Sequence, residues 1–154
     1  MIEEQIIKLR DTIHRVITYA EVIPPSLRTL KPDQIAFSVN EIIYHLLEVE
    51  ELWQRRIHLM LHEDEPHFER IDPDELAKTN KYNEQDFHQG IADWKASRNE
   101  TIELVEALNE KDLARIGMHS KFGEIDTYRI LDIMADHDLQ HLRQMERTIL
   151  SVKK

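Results

Sequence analysis

Apolar residues recur every three or four positions in four segments of the chain, which is the spacing of amphipathic α-helices. The first segment runs from about Ile2 to Ala20. Pro24 and Pro25 follow it closely, and proline ends a helix because it supplies no amide hydrogen and restrains the residue before it. The inner face predicted for this helix comprises Ile2, Ile6, Leu9, Ile13, Val16, Ile17 and Ala20.

The second segment carries a clear start signal. Ser38 is a favourable N-cap, and Glu41 stands three residues later, as in a capping box. The helix is expected to fade near His62, and the polar, proline-containing sequence that continues to Lys81 predicts a long crossover connection. The inner face predicted for this second helix comprises Ile42, His45, Val49, Leu52, Arg56 and Leu59.

The third helix is predicted to begin at Asn83, which can act as an N-cap, with Tyr82 placed to pack on Phe87. Its apolar spacing continues for several turns and indicates one long helix. The predicted inner face comprises Phe87, Ile91, Trp94, Arg98, Thr101, Val105 and Leu108.

The fourth helix follows a segment bounded by Gly117 and Gly123. Glycine permits backbone angles that other residues avoid, so this segment is predicted to be a turn-bearing loop. Asp126 or Thr127 is the expected N-cap, and the helix should extend to about Leu150.

Together these segments predict an all-α protein, a four-helix bundle with long crossover connections, formed by residues 1–154 as a single domain. The chain of 154 residues has only 3 Gly and 5 Pro, which leaves long stretches free of helix breakers. Long connections allow consecutive helices to be placed apart, so the order of the helices in the bundle is left open.

Composition and charge argue against several classes of partner. With 20 Lys and Arg against 30 Asp and Glu, the chain has a formal charge of −10. Binding to nucleic acid or to an anionic membrane normally requires a basic surface, so neither is expected. No apolar run approaches the roughly 18 residues of a membrane span, and no basic signal-peptide start is present, which predicts a cytoplasmic location. The absence of cysteine excludes disulfides, thiolate ligands and a cysteine nucleophile.

Two histidines occupy the inner face predicted for the fourth helix. His137 and His141 are one turn apart, about 40° around the helix axis, and they continue the apolar line of Ile130, Met134 and Met145. Buried imidazoles need hydrogen-bond partners, and two that lie so close together resist simultaneous protonation. A metal ion meets both requirements, because imidazole is the commonest metal ligand among side chains.

A third histidine, His45, lies on the inner face predicted for the second helix, so packing of the second helix on the fourth would assemble a three-nitrogen metal site. Three protein ligands leave coordination positions for water or substrate, as in catalytic zinc sites. The alternative is that each histidine is a hydrogen-bonded core residue without metal. His58 and His62 are also four residues apart, but they point to the outer side of their helix and are predicted to be surface residues.

Two arginines also lie on the predicted inner faces, Arg56 on the second helix and Arg98 on the third. A cation in a cleft can hold a substrate carboxylate by a two-pronged contact, which makes both candidates for substrate binding. The alternative for each is a buried ion pair with one of the many carboxylates. Asp136 and Asp138 flank His137 and are candidates to orient its imidazole.

Around these histidines the sequence resembles the DinB/YfiT-like family of metalloenzymes. The resemblance rests on segments 38–50 and 135–145 and on the loop that ends in Phe122-Gly123. The family pattern is a histidine on the second helix and an H-x-x-x-H pair on the fourth, and His45, His137 and His141 fill all three positions. The resemblance implies a four-helix bundle, often dimeric, whose histidines bind one divalent zinc, nickel or iron ion.

Three classes of function remain open at this point. Characterised relatives include thiol-S-transferases that use bacillithiol or related thiols, so the resemblance implies transfer of a small thiol to an electrophilic small molecule. Metal-assisted hydrolysis is a second candidate. The third is a non-enzymatic, stress-associated metal-binding dimer, because no acid, base or nucleophile stands out beside the histidines and no catalytic residue is assigned.

Overall fold

Four long helices form a bundle in the computed structural model, which describes residues 2–153. The prediction of an all-α four-helix bundle is confirmed. In chain order, the helices are α1 (Ile2–Glu21), α2 (Val39–His62), α3 (Pro73–Thr79), α4 (Phe87–Glu106), α5 (Glu110–Leu113) and α6 (Thr127–Val152), and the strands β1 (Gly117–His119) and β2 (Gly123–Ile125) lie between α5 and α6.

The order of the helices around the bundle differs from their order in the chain. Helix α1 packs mainly on α6, and α2 packs mainly on α4, while α2 also contacts α6 and α1 also contacts α4. Helices α1 and α2 are consecutive in the chain, yet they lie diagonally across the bundle. The long crossover connections make this arrangement possible.

Two helix starts follow their predicted capping signals. The Oγ atom of Ser38 accepts the amide hydrogen of Glu41 at 3.1 Å, and the carboxylate of Glu41 accepts the amide hydrogen of Ser38 at 3.0 Å. This is the predicted capping box of α2. At the start of α6, Asp126 accepts the amide hydrogen of Arg129 at 2.9 Å and is the N-cap.

The start predicted for the third long helix is wrong. Asn83 lies instead in a 3₁₀ turn, Tyr82–Glu84, and Asp86 is the N-cap of α4. The side chain of Asn83 accepts a hydrogen bond from Ser38 Oγ at 2.6 Å and donates one to the carbonyl of Thr29 at 2.9 Å. The side-chain amide of Asn83 therefore connects segments that are distant in the sequence. Such contacts cannot be predicted from the residues next to Asn83.

A short antiparallel hairpin replaces the loop predicted between residues 117 and 123. A side chain at Gly117 would collide with the ring of Phe68, and Gly123 has a φ of +71°, so both positions favour glycine. Met118 extends the hairpin sideways by hydrogen bonds to Pro66 and Phe68, at 2.8 Å and 3.0 Å. Strands of three residues are too short to produce a clear alternation in the sequence, so the hairpin was not predicted.

Two clusters of buried apolar side chains fill the bundle. The first joins the C-terminal halves of α1 and α6 to the N-terminal halves of α2 and α4, and the second joins the opposite halves. A polar layer crosses the bundle between them, since Thr12, Glu50, Arg98 and Asp138 are all buried at this level, one on each long helix. Within residues 2–153, no helix is long and apolar enough to cross a membrane.

Candidate metal centre

Three histidines meet where α2 packs on α6, at the level of the polar layer. His45 comes from α2, and His137 and His141 come from α6. One ligand nitrogen from each ring lies within 4.8 Å of the other two. The Nε2 atom of His137 is 3.0 Å from Nε2 of His141 and 3.3 Å from Nε2 of His45. The structure therefore brings together the three histidines that the sequence analysis selected, and these are called the triad below.

The donor set of the triad fits a divalent metal ion. Gln144 Oε1 lies 2.6 Å from Nδ1 of His141 and accepts its hydrogen, so the lone pair of His141 Nε2 faces the other two rings. A neutral imidazole carries one N–H hydrogen on its two nitrogens, so three converging Nε2 atoms cannot all be satisfied by hydrogen bonds to one another. A cation can accept the lone pairs of all three, as in three-histidine zinc sites.

Burial keeps the triad in the neutral form that binds metal. His45 is 6% exposed, and burial, followed by the nearby His141, lowers the pKa of His45 to about 3. Burial also lowers the pKa of His137 to about 2, with further contributions from His141, His45 and Arg98. The pKa of His141 is lowered by burial as well. Protons therefore compete weakly with a metal for these nitrogens at neutral pH.

The triad lies at the edge of the buried faces of α2 and α6, whereas the sequence analysis placed it at their centre. On α2 the buried face includes Glu50 and Trp53, while Leu59 of the predicted face is 38% exposed. On α6, Asp138 is 2% exposed and His137 is only half-buried. The predicted faces are rotated because they follow apolar spacing alone, whereas the buried faces also include the charged residues Glu50 and Asp138.

A cavity of about 460 Å³ opens beside the triad, and His45 and His137 line it. Its walls come from α2, α6, the hairpin and the segment that precedes α3. This volume is in the range of small-molecule binding sites. The site therefore combines three candidate metal ligands with a cavity large enough for a small molecule. The apolar part of the wall includes Val49, Leu52, Trp53, Phe122 and Ile133.

The two arginines predicted to bind substrate lie in different surroundings. Arg56 lines the cavity. Arg98 is 2% exposed and forms ion pairs with Glu50 at 2.7 Å and with Asp138 at 3.0 Å. The substrate-binding prediction for Arg98 is therefore corrected, because its guanidinium is enclosed in the core and occupied by two carboxylates. It forms the buried ion pair that the sequence analysis gave as the alternative.

The two aspartates beside His137 also differ. Asp138 accepts hydrogen bonds from Thr12 at 2.6 Å and from Arg98 at 3.0 Å, so its carboxylate serves the polar layer. Asp136 is exposed and lines the cavity together with His137. The structure thus supplies a carboxylate near the triad, which the sequence analysis did not identify on the inner faces.

His119 is a cavity residue that the sequence analysis left without a role. It lies at the end of β1, and its ring stacks on Trp53 with 5.7 Å between the centroids. The Nδ1 atom accepts the amide hydrogens of Lys121 at 3.0 Å and Phe122 at 3.3 Å, so the ring hydrogen resides on Nε2. Burial, with the charges of Arg56 and Lys121, lowers the pKa of His119. Helical spacing could not predict that His119 lines the cavity, because His119 belongs to the hairpin.

Three further basic residues line the cavity without having been predicted: Arg70, Lys121 and Arg129. Arg70 precedes α3, Lys121 lies in the hairpin turn and Arg129 lies in the first turn of α6. They are exposed and belong to three different parts of the fold, so no helical or strand spacing connects them. Their common position becomes visible only in the folded chain.

Comparison with known proteins gives both a family and a fold. The model of the DinB superfamily matches residues 8–145. The structure is similar to that of YfiT from Bacillus subtilis, with a TM-score of 0.85 and 16% sequence identity, over 98% of this chain and 87% of that chain. YfiT is described as a probable metal-dependent hydrolase with an unusual four-helix bundle topology. No curated protein matches the sequence significantly.

Proposed function

This chain belongs to the DinB superfamily, and we propose that it is a divalent-metal-dependent enzyme that acts on a small molecule. The observation that carries the proposal is the meeting of His45, His137 and His141 at the wall of a cavity of about 460 Å³. These residues would hold a zinc, nickel or iron ion, since imidazole suits all three.

The proposed reaction is transfer of a low-molecular-weight thiol, such as bacillithiol, to an electrophilic small molecule. A bound divalent ion supplies Lewis acidity, which favours the deprotonated form of a thiol or water at neutral pH. The chain has no cysteine, so a thiol nucleophile has to come from a substrate. In this reaction the sulfur–hydrogen bond of the thiol breaks, and its proton would pass to Asp136, the carboxylate that lines the cavity. The new carbon–sulfur bond would form as the leaving group of the electrophile, such as the chloride of monochlorobimane, departs with its bonding electrons.

Metal-assisted hydrolysis is the second candidate reaction, and two observations favour it. Asp136 offers a carboxylate that could act as a general base toward water in the cavity. The structurally similar protein YfiT is described as a probable metal-dependent hydrolase. The two reactions differ in one requirement, because only thiol transfer depends on an added thiol.

Metal content of the purified protein without a histidine tag tests the first part of the proposal. We expect roughly one equivalent of transition metal per chain, as for a three-ligand site, and loss of that metal in a His137→Ala/His141→Ala variant. The matched control is His58→Ala/His62→Ala, which removes an exposed pair with the same spacing on α2. Absence of metal after loading with zinc, nickel and iron would contradict the proposal.

Turnover by the metal-loaded protein tests the reaction. Consumption of monochlorobimane that requires added bacillithiol, and that is lost in His137→Ala, supports thiol transfer. Hydrolysis of an ester or amide panel without any thiol, lost in the same variant, supports the hydrolase instead. A metal-loaded protein that does neither would return the triad to a non-enzymatic, metal-binding role.

A further inference from the structure

The wall of the cavity carries an excess of positive charge. Four basic residues line it, Arg56, Arg70, Lys121 and Arg129, together with one carboxylate, Asp136. The chain as a whole has a formal charge of −10, so this local balance is opposite in sign to that of the protein. Cations gathered in a concave site focus their field and attract anions.

These four cations lack carboxylate partners in the part of the chain that the structure describes. Some basic residues elsewhere do have carboxylate partners, as Lys8 has in Asp132 at 3.0 Å. Even the fully buried Arg98 is paired. The cavity therefore concentrates cations whose charge the protein does not neutralise, and an anionic ligand would provide the missing counter-charge.

Arg56 is held in place without being neutralised. Its guanidinium lies 4.6 Å from the centre of the Trp53 ring and 5.2 Å from that of Phe68, and one of its hydrogens is donated to the carbonyl of Glu69 at 2.9 Å. Burial, followed by the neighbouring charge of Arg55, lowers the pKa of Arg56. A fixed guanidinium with hydrogens to spare is suited to a two-pronged contact with a carboxylate or phosphate.

The hairpin and the start of α6 supply the other fixed donors. Lys121 and Arg129 both lie against Phe122, at 5.3 Å and 5.7 Å from the centre of its ring. His119 stands beside them, and its Nδ1 atom is occupied by two amide hydrogens, which leaves the Nε2 hydrogen as a donor. These groups would contact a second part of the ligand, because they belong to elements other than the helix that carries Arg56.

We propose that this cavity binds a small anion that carries two negative charges, either on two carboxylates or on a phosphate, and that the substrate brought to the triad belongs to this class. The proposal rests on the proposed function for its link to the triad, whereas the anion site itself needs no metal. The sequence analysis had named Arg56 and Arg98 as candidates for substrate binding, with a buried ion pair as the alternative. The site proposed here retains Arg56, replaces Arg98 and adds Arg70, Lys121 and Arg129.

The test is calorimetric titration of the metal-free protein at low ionic strength with three probes. These are succinate, glycerol 3-phosphate and the uncharged succinamide. We expect one or both anions to bind at a single site, with an affinity that falls as salt is added, and no binding of succinamide. The stronger of the two anions identifies the charged group. The proposal is overturned when neither anion binds, or when succinamide binds as well as succinate.

Matched variants locate the site. Arg129→Gln and Lys121→Gln change exposed residues, and each should weaken binding of the preferred anion about tenfold, the value of one charge-assisted hydrogen bond. The control is Arg147→Gln, an exposed position on α6 that does not line the cavity, and its affinity should stay within about twofold of the wild type. An equal loss of anion affinity in Arg147→Gln and Arg129→Gln would show a general effect of protein charge and would overturn the proposed location of the site.

Metal content separates this proposal from the proposed function. Arg129→Gln should keep the metal content of the wild type, because Arg129 is not one of the triad. A protein that takes up metal but binds no anion overturns the anion site alone. A protein that binds the anion but takes up no metal overturns the proposed function and leaves the anion site standing.

Discussion

Two polar clusters lie close together in the bundle, and they are built in opposite ways. The first is the triad. The second consists of Glu50, Arg98 and Asp138 and is called the ion cluster here. In the ion cluster, charges of opposite sign satisfy one another, and each residue is 2% exposed. In the triad, like donor atoms converge and two of the rings line a cavity. The contrast separates a cluster that holds the protein together from one that is suited to bind a ligand.

The ion cluster connects all four long helices. Arg98 of α4 donates to Glu50 of α2 at 2.8 Å, to Asp138 of α6 at 3.0 Å and to the carbonyl of Leu9 in α1 at 2.7 Å. Thr101 adds a hydrogen bond to Glu50 at 2.6 Å. Since Asp138 directly follows His137 in the chain, this network also fixes how α6 presents His137 to the cavity.

The largest expected effect comes from breaking the ion cluster. Arg98→Met keeps the apolar stem but leaves the carboxylates of Glu50 and Asp138 buried without a counter-charge, which should lower the free energy of unfolding by about 3–5 kcal/mol. Chemical denaturation followed by circular dichroism measures the change. Arg147→Met serves as the control on an exposed arginine. A loss below about 1 kcal/mol would mean that the ion cluster contributes little to stability.

A metal ion should stabilise the folded protein by binding at the triad, and not at the ion cluster. At a free zinc concentration one hundred times the dissociation constant, the gain in free energy of unfolding should be about 2.7 kcal/mol. Differential scanning calorimetry of the wild type and of His137→Ala/His141→Ala, each with zinc and with a chelator, measures it. A zinc-induced rise in Tm that persists in the double variant would place the metal elsewhere.

Acid should destabilise the metal-free protein through the triad. The pKa of His45 is about 3 and that of His137 about 2 in the folded state, both below the value of an unfolded histidine. Below about pH 6.5 the unfolded chain therefore binds protons that the folded chain does not. The contribution of these two imidazoles to the free energy of unfolding is fully present above that pH and is lost as the pH falls. For each such imidazole, the free energy of unfolding should decrease by on the order of 2 kcal/mol from pH 7 to pH 5.

Chemical denaturation of the chelator-treated protein at pH 7, 6 and 5 measures this loss. His137→Gln removes one of the imidazoles with a lowered pKa, so its stability should fall less steeply with pH. A variant slope equal to that of the wild type would assign the acid sensitivity to groups outside the triad.

The smallest expected effect is that of a single triad variant without metal at neutral pH. His137 is half-buried and carries no charge, so His137→Gln should change the free energy of unfolding by less than about 1 kcal/mol. Denaturation in the presence of a chelator at pH 7.5 measures it beside Arg98→Met. Equal losses in the two variants would remove the distinction between a structural cluster and a ligand-binding one.

The sequence was sufficient for features that depend on local spacing. The four long helices follow apolar periodicity, the capping box of α2 follows Ser38 and Glu41, and the pair His137 and His141 is visible from its spacing alone. Each of these signals lies within a few residues of the feature it predicts. His45 was assigned to the same site because it lies on an apolar face of its own helix.

The features that were missed depend on contacts between distant segments. Substrate binding and a buried ion pair both stayed open for Arg98, because its carboxylate partners lie on two other helices and charged residues are seldom buried. Lys121 reaches the cavity through a hairpin that has no periodic signal, and Arg129 reaches it from the first turn of α6. Asparagine is a common N-cap residue, yet the side-chain amide of Asn83 forms hydrogen bonds with Ser38 and Thr29 instead. Tertiary contacts decided all of these positions.

The cavity is bounded on one side by long helices and on another by the hairpin and the segment before α3. The triad belongs to the helices, whereas His119, Lys121 and Arg70 belong to the connections. Connections tolerate substitution and insertion more readily than packed helices. Substitutions in the connections can therefore change this part of the cavity wall without disturbing the helical residues that are proposed to hold a metal. One scaffold of this kind can give rise to enzymes with different substrates through changes in its connections.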